Sequence, residues 1–153
     1  KYNVVLNNKF TIFINSGPGS FSGVRISLAV VKGIELVKNT RTYGYNNFLL
    51  NASPHFAEKE EIVSIQKTNN FYYCCKGTFK ETYHFTSPVK IDAKKLQESN
   101  SLIIIPEEIK NDEIIKHIKL EKIRITEFNL KNIDLLIENK LVENQLIKPL
   151  YLS

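Results

Sequence analysis

The sequence predicts an α/β protein of two small lobes, and three observations carry that expectation. A buried strand, a glycine-rich elbow and a long apolar helix follow one another between Phe10 and Asn39. β-rich runs gather between Ile62 and Phe85, and short helix and strand patterns alternate from Asp92 onward. A charged connector, Glu58 to Glu61, separates the first pattern from the others, which places the lobes at 1–58 and 59–153.

The first strand is read from Phe10, Thr11, Ile12, Phe13 and Ile14, a run with almost no polar break. Such a run suits a strand covered on both faces, so a central position is expected. Asn15 and Ser16 end it, Gly17 and Gly19 supply backbone conformations closed to other residues, and Pro18 fixes one φ angle. Ser20 or Ser22 then caps a helix, with Ser20 the better placed. Along that helix Val24, Leu28 and Val31 form one apolar stripe, and Ile26, Val30, Ile34 and Val37 form another beside it. Two stripes exceed what one flat surface covers, which predicts a largely enclosed helix. Ala29 and Gly33, four residues apart, leave a notch for a partner helix or for the helix's own sheet.

After the elbow, Thr40 to Gly44 returns toward the sheet, and Asn46 to Ala57 reads as a short helix disturbed at Pro54. Ile62 to Gln66, Phe71 to Lys76 and Thr78 to Phe85 predict an antiparallel meander with breaks at Asn69-Asn70 and at Gly77. A short helix is expected at Asp92 to Glu98, a buried strand at Leu102 to Ile105 stopped by Pro106, and a helix at Asn111 to Ile118. Leu120 to Ile125 fits one more strand. Asn129 or Asn132 opens the last helix, with Ile133, Leu136, Ile137 and Leu141 on one face.

A composition of 42% hydrophobic and 24% charged residues is that of a folded globular chain, and no apolar run reaches membrane-spanning length. No signal-peptide pattern opens the sequence, so a cytoplasmic location is expected, with no membrane partner. The net charge of +5 is spread over lysines interleaved with glutamates, which favours solvated faces over a nucleic-acid patch. Cys74 and Cys75 are adjacent, point to opposite faces of any strand and suit reduced core thiols.

Gly17, Pro18, Gly19, Ser20, Phe21, Gly23, Val24, Arg25, Lys32 and Gly33 resemble the signature of the TsaB (YeaZ) family, and Pro149, Tyr151 and Leu152 resemble its terminal motif, with Ser153 where arginine is usual. The resemblance implies the actin-like and Hsp70-like ATPase superfold, with a ribonuclease-H-like first lobe that lacks its opening strand, hairpins and most of a helix. It also implies a non-catalytic subunit that pairs with the catalytic TsaD and the ATPase TsaE in making threonylcarbamoyladenosine in tRNA. ATP, metal and tRNA would then be met through the complex, and no cofactor is assigned to this chain. The partner surface, or a homodimer surface, is expected on Phe21, Ser22, Arg25, Ile26, Ala29, Val30 and Gly33. Where the family carries Asp-Ala-Arg, this chain has Gln66, Lys67 and Thr68.

Two other readings attach to the elbow. Amides at Gly17, Gly19, Ser20, Ser22 and Gly23 could hold a phosphate or another anion, although the stretch is neither GxxxxGK[ST] nor GxGxxG. Ser20 or Ser22 could act as the nucleophile of a small hydrolase of the glycoprotease-like kind. The spacing is not GxSxG, and no histidine is near in sequence. His55, His84 and His117 stand alone, so neither a catalytic residue nor a metal site is assigned.

Overall fold

The computed structural model describes residues 10–91, 96, 100–144 and 147–152. They form two compact units, one holding the described residues up to Asn46 with those from Val142 to Tyr151, the other running from Asn47 to Leu141 with Leu152. The boundary expected at 58/59 is thus displaced. The helix after Asn46 packs on strands of the larger sheet and belongs with them, and the carboxyl-terminal segment returns to the first unit.

In the first unit β1 (Thr11–Asn15) pairs in parallel with β2 (Arg41–Tyr45), and α1 (Phe21–Lys38) makes the crossover. Parallel neighbours need such a connection because their ends lie on opposite sides of the sheet. Among the described residues β1 has one strand neighbour, and only Ile14 of its side chains is buried. The expected central strand is half-exposed instead, since an apolar run records what can be covered and not what covers it. Asn39 ends α1 in the left-handed conformation, with φ of 47°.

The second unit opens with α2 (Asn47–Ala52), which passes into a 3₁₀ turn at Ser53–His55 where Pro54 removes a helical donor. Its mixed sheet has β3 (Glu61–Thr68), β4 (Phe71–Phe79), β5 (Tyr83–Phe85), β6 (Val89–Lys90), β7 (Leu102–Pro106) and β8 (Ile123–Thr126). The order is β5-β4-β3-β7-β8, with β6 beside β4; β3, β7 and β8 run parallel, and β4 is antiparallel to β3 and β5. Asn69 and Asn70, at φ of 50° and 66°, form the two-residue hairpin turn that the strands' twist favours. Gly77 is not a break. It lies inside β4 opposite Phe85, and a Cβ there would come within 2.6 Å of the Phe85 ring, so the glycine makes room for an aromatic.

Alternation along β3 and β7 splits the core between two faces. Val63, Ile65, Ile103 and Ile105 meet Leu96, Ile109, Ile115 and Ile118 on one; Ile62, Leu102 and Ile104 meet Ala52 and Tyr83 on the other. Ile115 belongs to α3 (Glu113–Lys116), a single turn where two had been expected, and Leu136, fully buried, to α4 (Ile133–Glu138). Asn129 caps a 3₁₀ turn ahead of α4 through the Lys131 amide. The helix expected at Asp92–Glu98 lies outside the described residues apart from Leu96.

Cys74 and Cys75 are free thiols, their registers opposite Ile65 and Ser64 placing them on opposite faces. Burial raises both, and Cys75 is pushed up to about 12. At pH 8 only about one Cys75 in ten thousand would be thiolate, so alkylation of the folded protein should proceed no faster than opening. Stoichiometric labelling of Cys75 within minutes in native buffer would contradict this burial.

Candidate functional site

The sequence around the elbow does locally what its residue types require. Ser20 is the N-cap of α1, its Oγ accepting from the Gly23 amide at 3.1 Å, while the Ser20 carbonyl accepts from Val24. Gly17 has φ of 125°, and its amide donates to Asn15 Oδ1 at 2.8 Å. The carboxyl-terminal segment then closes over the turn. Leu150 N donates to the Ser16 carbonyl at 2.7 Å, and a Cβ on Gly17 would stand 2.8 Å from the Leu150 carbonyl oxygen. Tyr151 packs on Phe21 with ring centroids 5.0 Å apart, and the Arg25 guanidinium lies 5.0 Å from the Phe21 centroid. The two ends of the sequence that carry the strongest local pattern therefore meet in one unit.

The expected anion donors fare unequally. Gly17 and Gly23 spend their amides on Asn15 and Ser20, which leaves fewer donors for a phosphate at the elbow. Ser20 Oγ is held as a cap, and Ser22 is exposed on the first turn of α1. All three histidines fall in the second unit, so the first unit offers no imidazole to activate either serine.

α1 corrects the expectation of enclosure, because none of its residues is buried. Val24, Leu28 and Val31 are half-buried, as is Ile34 of the second stripe, and α1 packs on β1 and β2. Ile26, Val30 and Val37 are instead 63%, 56% and 79% exposed, with Ala29 exposed among them. At Gly33 a Cβ would meet nothing within 4 Å. Among the described residues the sheet beside α1 has two strands, which cover one stripe of the 18-residue helix while the second faces outward. Beneath the helix, Leu28, Val31, Thr42, Ile147 and Pro149 line a cavity of about 320 Å³. All the expected partner-surface residues lie on this exposed helix.

A constellation that sequence reasoning missed lies in the second unit. His55 Nδ1 is 2.5 Å from Glu58 Oε1, His55 Nε2 is 3.0 Å from Thr126 Oγ1, and Arg124 Nε donates to Glu58 Oε2 at 2.7 Å. The hydrogen bond from His55, followed by that from Arg124, holds the Glu58 carboxyl below the usual range. The order hydroxyl, imidazole, carboxylate suits nucleophilic catalysis, but Thr126 is buried and neither it nor His55 lines the 690 Å³ cavity nearby. The network ties the Ser53–His55 turn to the end of β8. Other acidic side chains are likewise engaged: Glu61 with Lys76, Glu107 with Lys110, and Asp112 with Lys67 and Tyr72. Among the described residues no group of three histidine, cysteine or acidic side chains could hold a metal, and no helix is long and apolar enough to cross a membrane.

No protein-family description and no curated protein sequence matches the chain. Solved structures do. YeaZ from Pseudomonas aeruginosa is similar at a TM-score of 0.56 and 13% identity, over 91% of this chain and 72% of that one. An uncharacterized protein with similarity to peptidase YeaZ from Pseudomonas aeruginosa gives 0.57 and 14%, over 94% and 73%. At that identity the likeness speaks for the fold, and this chain has the mixed α/β fold of these YeaZ-like structures.

Proposed function

We propose that this chain is a non-catalytic partner subunit of the TsaB type, built on the actin-like superfold, which pairs with a TsaD-like catalytic subunit and works with a TsaE-like ATPase in threonylcarbamoyl transfer to tRNA. The observation that carries the reading is the open apolar stripe of α1, in which Ile26, Val30 and Val37 stand exposed around the bare backbone of Gly33. An exposed apolar stripe of this kind is what a docked helix covers. The elbow serves that surface structurally: Ser20 starts the helix, and Leu150 and Tyr151 hold its first turn. ATP and metal belong on the partner subunits.

The reading is tested by reconstituting threonylcarbamoyl transfer with the TsaD-like and TsaE-like proteins of the same genome, with and without this chain. Modified adenosine should form only when the chain is present. Equal yields without it would sink the proposal.

A further inference from the structure

β3 is an apolar run interrupted by two polar residues on one face, Ser64 and Gln66, and both are buried. Gln66 is 8% exposed, and neither its amide nitrogen nor the Ser64 hydroxyl has a hydrogen-bond partner in the protein. Burying an amide without a partner is costly, so an unmet donor of this kind asks for an acceptor from outside the chain. Gln66 lines a cavity of about 280 Å³ together with Asn51, Pro106, Glu108, Ile109 and Phe128. These residues come from the carboxyl end of β3, the carboxyl end of β7 with the turn after it, α2, and the segment just past β8. β3, β7 and β8 are the three parallel strands, and the crevice outside the carboxyl ends of parallel strands is where open α/β sheets take ligands.

The geometry points to a second site in this cavity that binds a neutral, amino-bearing nucleobase, adenine or cytosine. Lys67 also lines the cavity, but its ammonium lies 2.8 Å from the Asp112 carboxylate and 5.3 Å from the Tyr72 ring centroid, so it brings little uncompensated charge for an anion. The unpaired Gln66 donor calls for a ring nitrogen or carbonyl acceptor, and the exposed Glu108 side chain, which also lines the cavity, can accept from an exocyclic amine. Adenine and cytosine carry both groups side by side; carboxamides read adenine, and carboxylates accept from the cytosine amine. Uracil has no exocyclic amine; it could donate to the carboxylate only through its ring N3–H, with a carbonyl on either side repelling the carboxylate oxygens, and should bind more weakly. The Phe128 ring, 59% exposed at the rim, offers a stacking face, and Pro106 and Ile109 an apolar wall. The volume is at the low end for ligand pockets and suits one base, with its sugar left outside. The same chemistry is presented by a free nucleoside and by an unpaired base of an RNA strand.

The test is titration of the ¹⁵N-labelled chain with adenosine, cytidine and uridine, following the side-chain amides of Gln66 and Asn51. Saturable shifts are expected with adenosine or cytidine, and only weaker ones with uridine. Gln66→Leu and Phe128→Ala should each weaken binding at least about tenfold. Gln66→Leu removes an unmet donor, so its thermal midpoint should not fall. Phe128→Ala alters an exposed ring and decides the matter should Gln66→Leu fail to fold. A short single-stranded oligonucleotide of the same base that binds at least about tenfold tighter, with a steep salt dependence, assigns the site to RNA; equal affinity assigns it to the nucleoside. The proposal is overturned by no saturable shift up to about 10 mM of any nucleoside, by equal binding of uridine, or by binding that survives in the variants. None of these outcomes bears on pairing through α1.

Discussion

Gly17→Ala is expected to destabilise the protein by about 3 kcal/mol, because the new methyl group meets two obstacles at once. The residue sits at φ of 125°, a conformation that L side chains rarely adopt, and its Cβ would lie 2.8 Å from the Leu150 carbonyl oxygen. Neither obstacle yields easily. The obstructing atom is backbone, and Leu150 N is already bound to the Ser16 carbonyl, so relief requires the carboxyl-terminal segment to lift. Tyr151 would then leave Phe21, and the start of α1 would loosen. Gly23→Ala makes the contrast. Its Cβ would come within 2.5 Å of Ser20 Oγ, a side chain able to rotate away, so the loss should be that of one helix cap, about 1 kcal/mol. Urea unfolding of both variants checks the order; a Gly17→Ala loss no larger than that of Gly23→Ala would contradict it.

The larger loss is expected from Ile104→Ala, at about 4 kcal/mol. Ile104 is fully buried at the centre of β7, between strands β3 and β8, and packs within the cluster of Ile62, Leu102, Ala52 and Tyr83. The site is hemmed in by hydrogen-bonded strands on both sides, so it has little freedom to collapse around the missing atoms. A drop of less than about 1 kcal/mol would mean that the sheet is not covered on this face.

The features that the sequence announced are those set by local backbone chemistry. Ser20 as cap, the paired asparagines of the hairpin, and Pro54 ending α2 follow from single residues and their neighbours. What it concealed depends on distant chain. Gly77 reads as a break until Phe85 is seen lying over it, and the two stripes of α1 read as enclosure until one sheet proves able to cover only one. The return of Leu150 and Tyr151 to the elbow leaves no periodicity to detect, although the terminal motif marked Tyr151. The same holds for the His55, Glu58 and Thr126 network and for the cavity at Gln66. A glutamine inside an apolar strand was the one visible trace of the latter.

The measurement that tests the central claim most directly is the affinity of this chain for the TsaD-like subunit of its own genome, compared with that of Gly33→Leu. A Cβ added at Gly33 meets nothing within 4 Å, and replacing a mid-helix glycine by leucine favours α1 by up to about 1 kcal/mol, so the isolated chain should be at least as stable as before. If a partner helix seats over Ile26, Val30 and Gly33, the leucine overfills that contact and affinity should fall at least about tenfold. Equal affinity of the two proteins, or no complex with the native chain, would contradict the account.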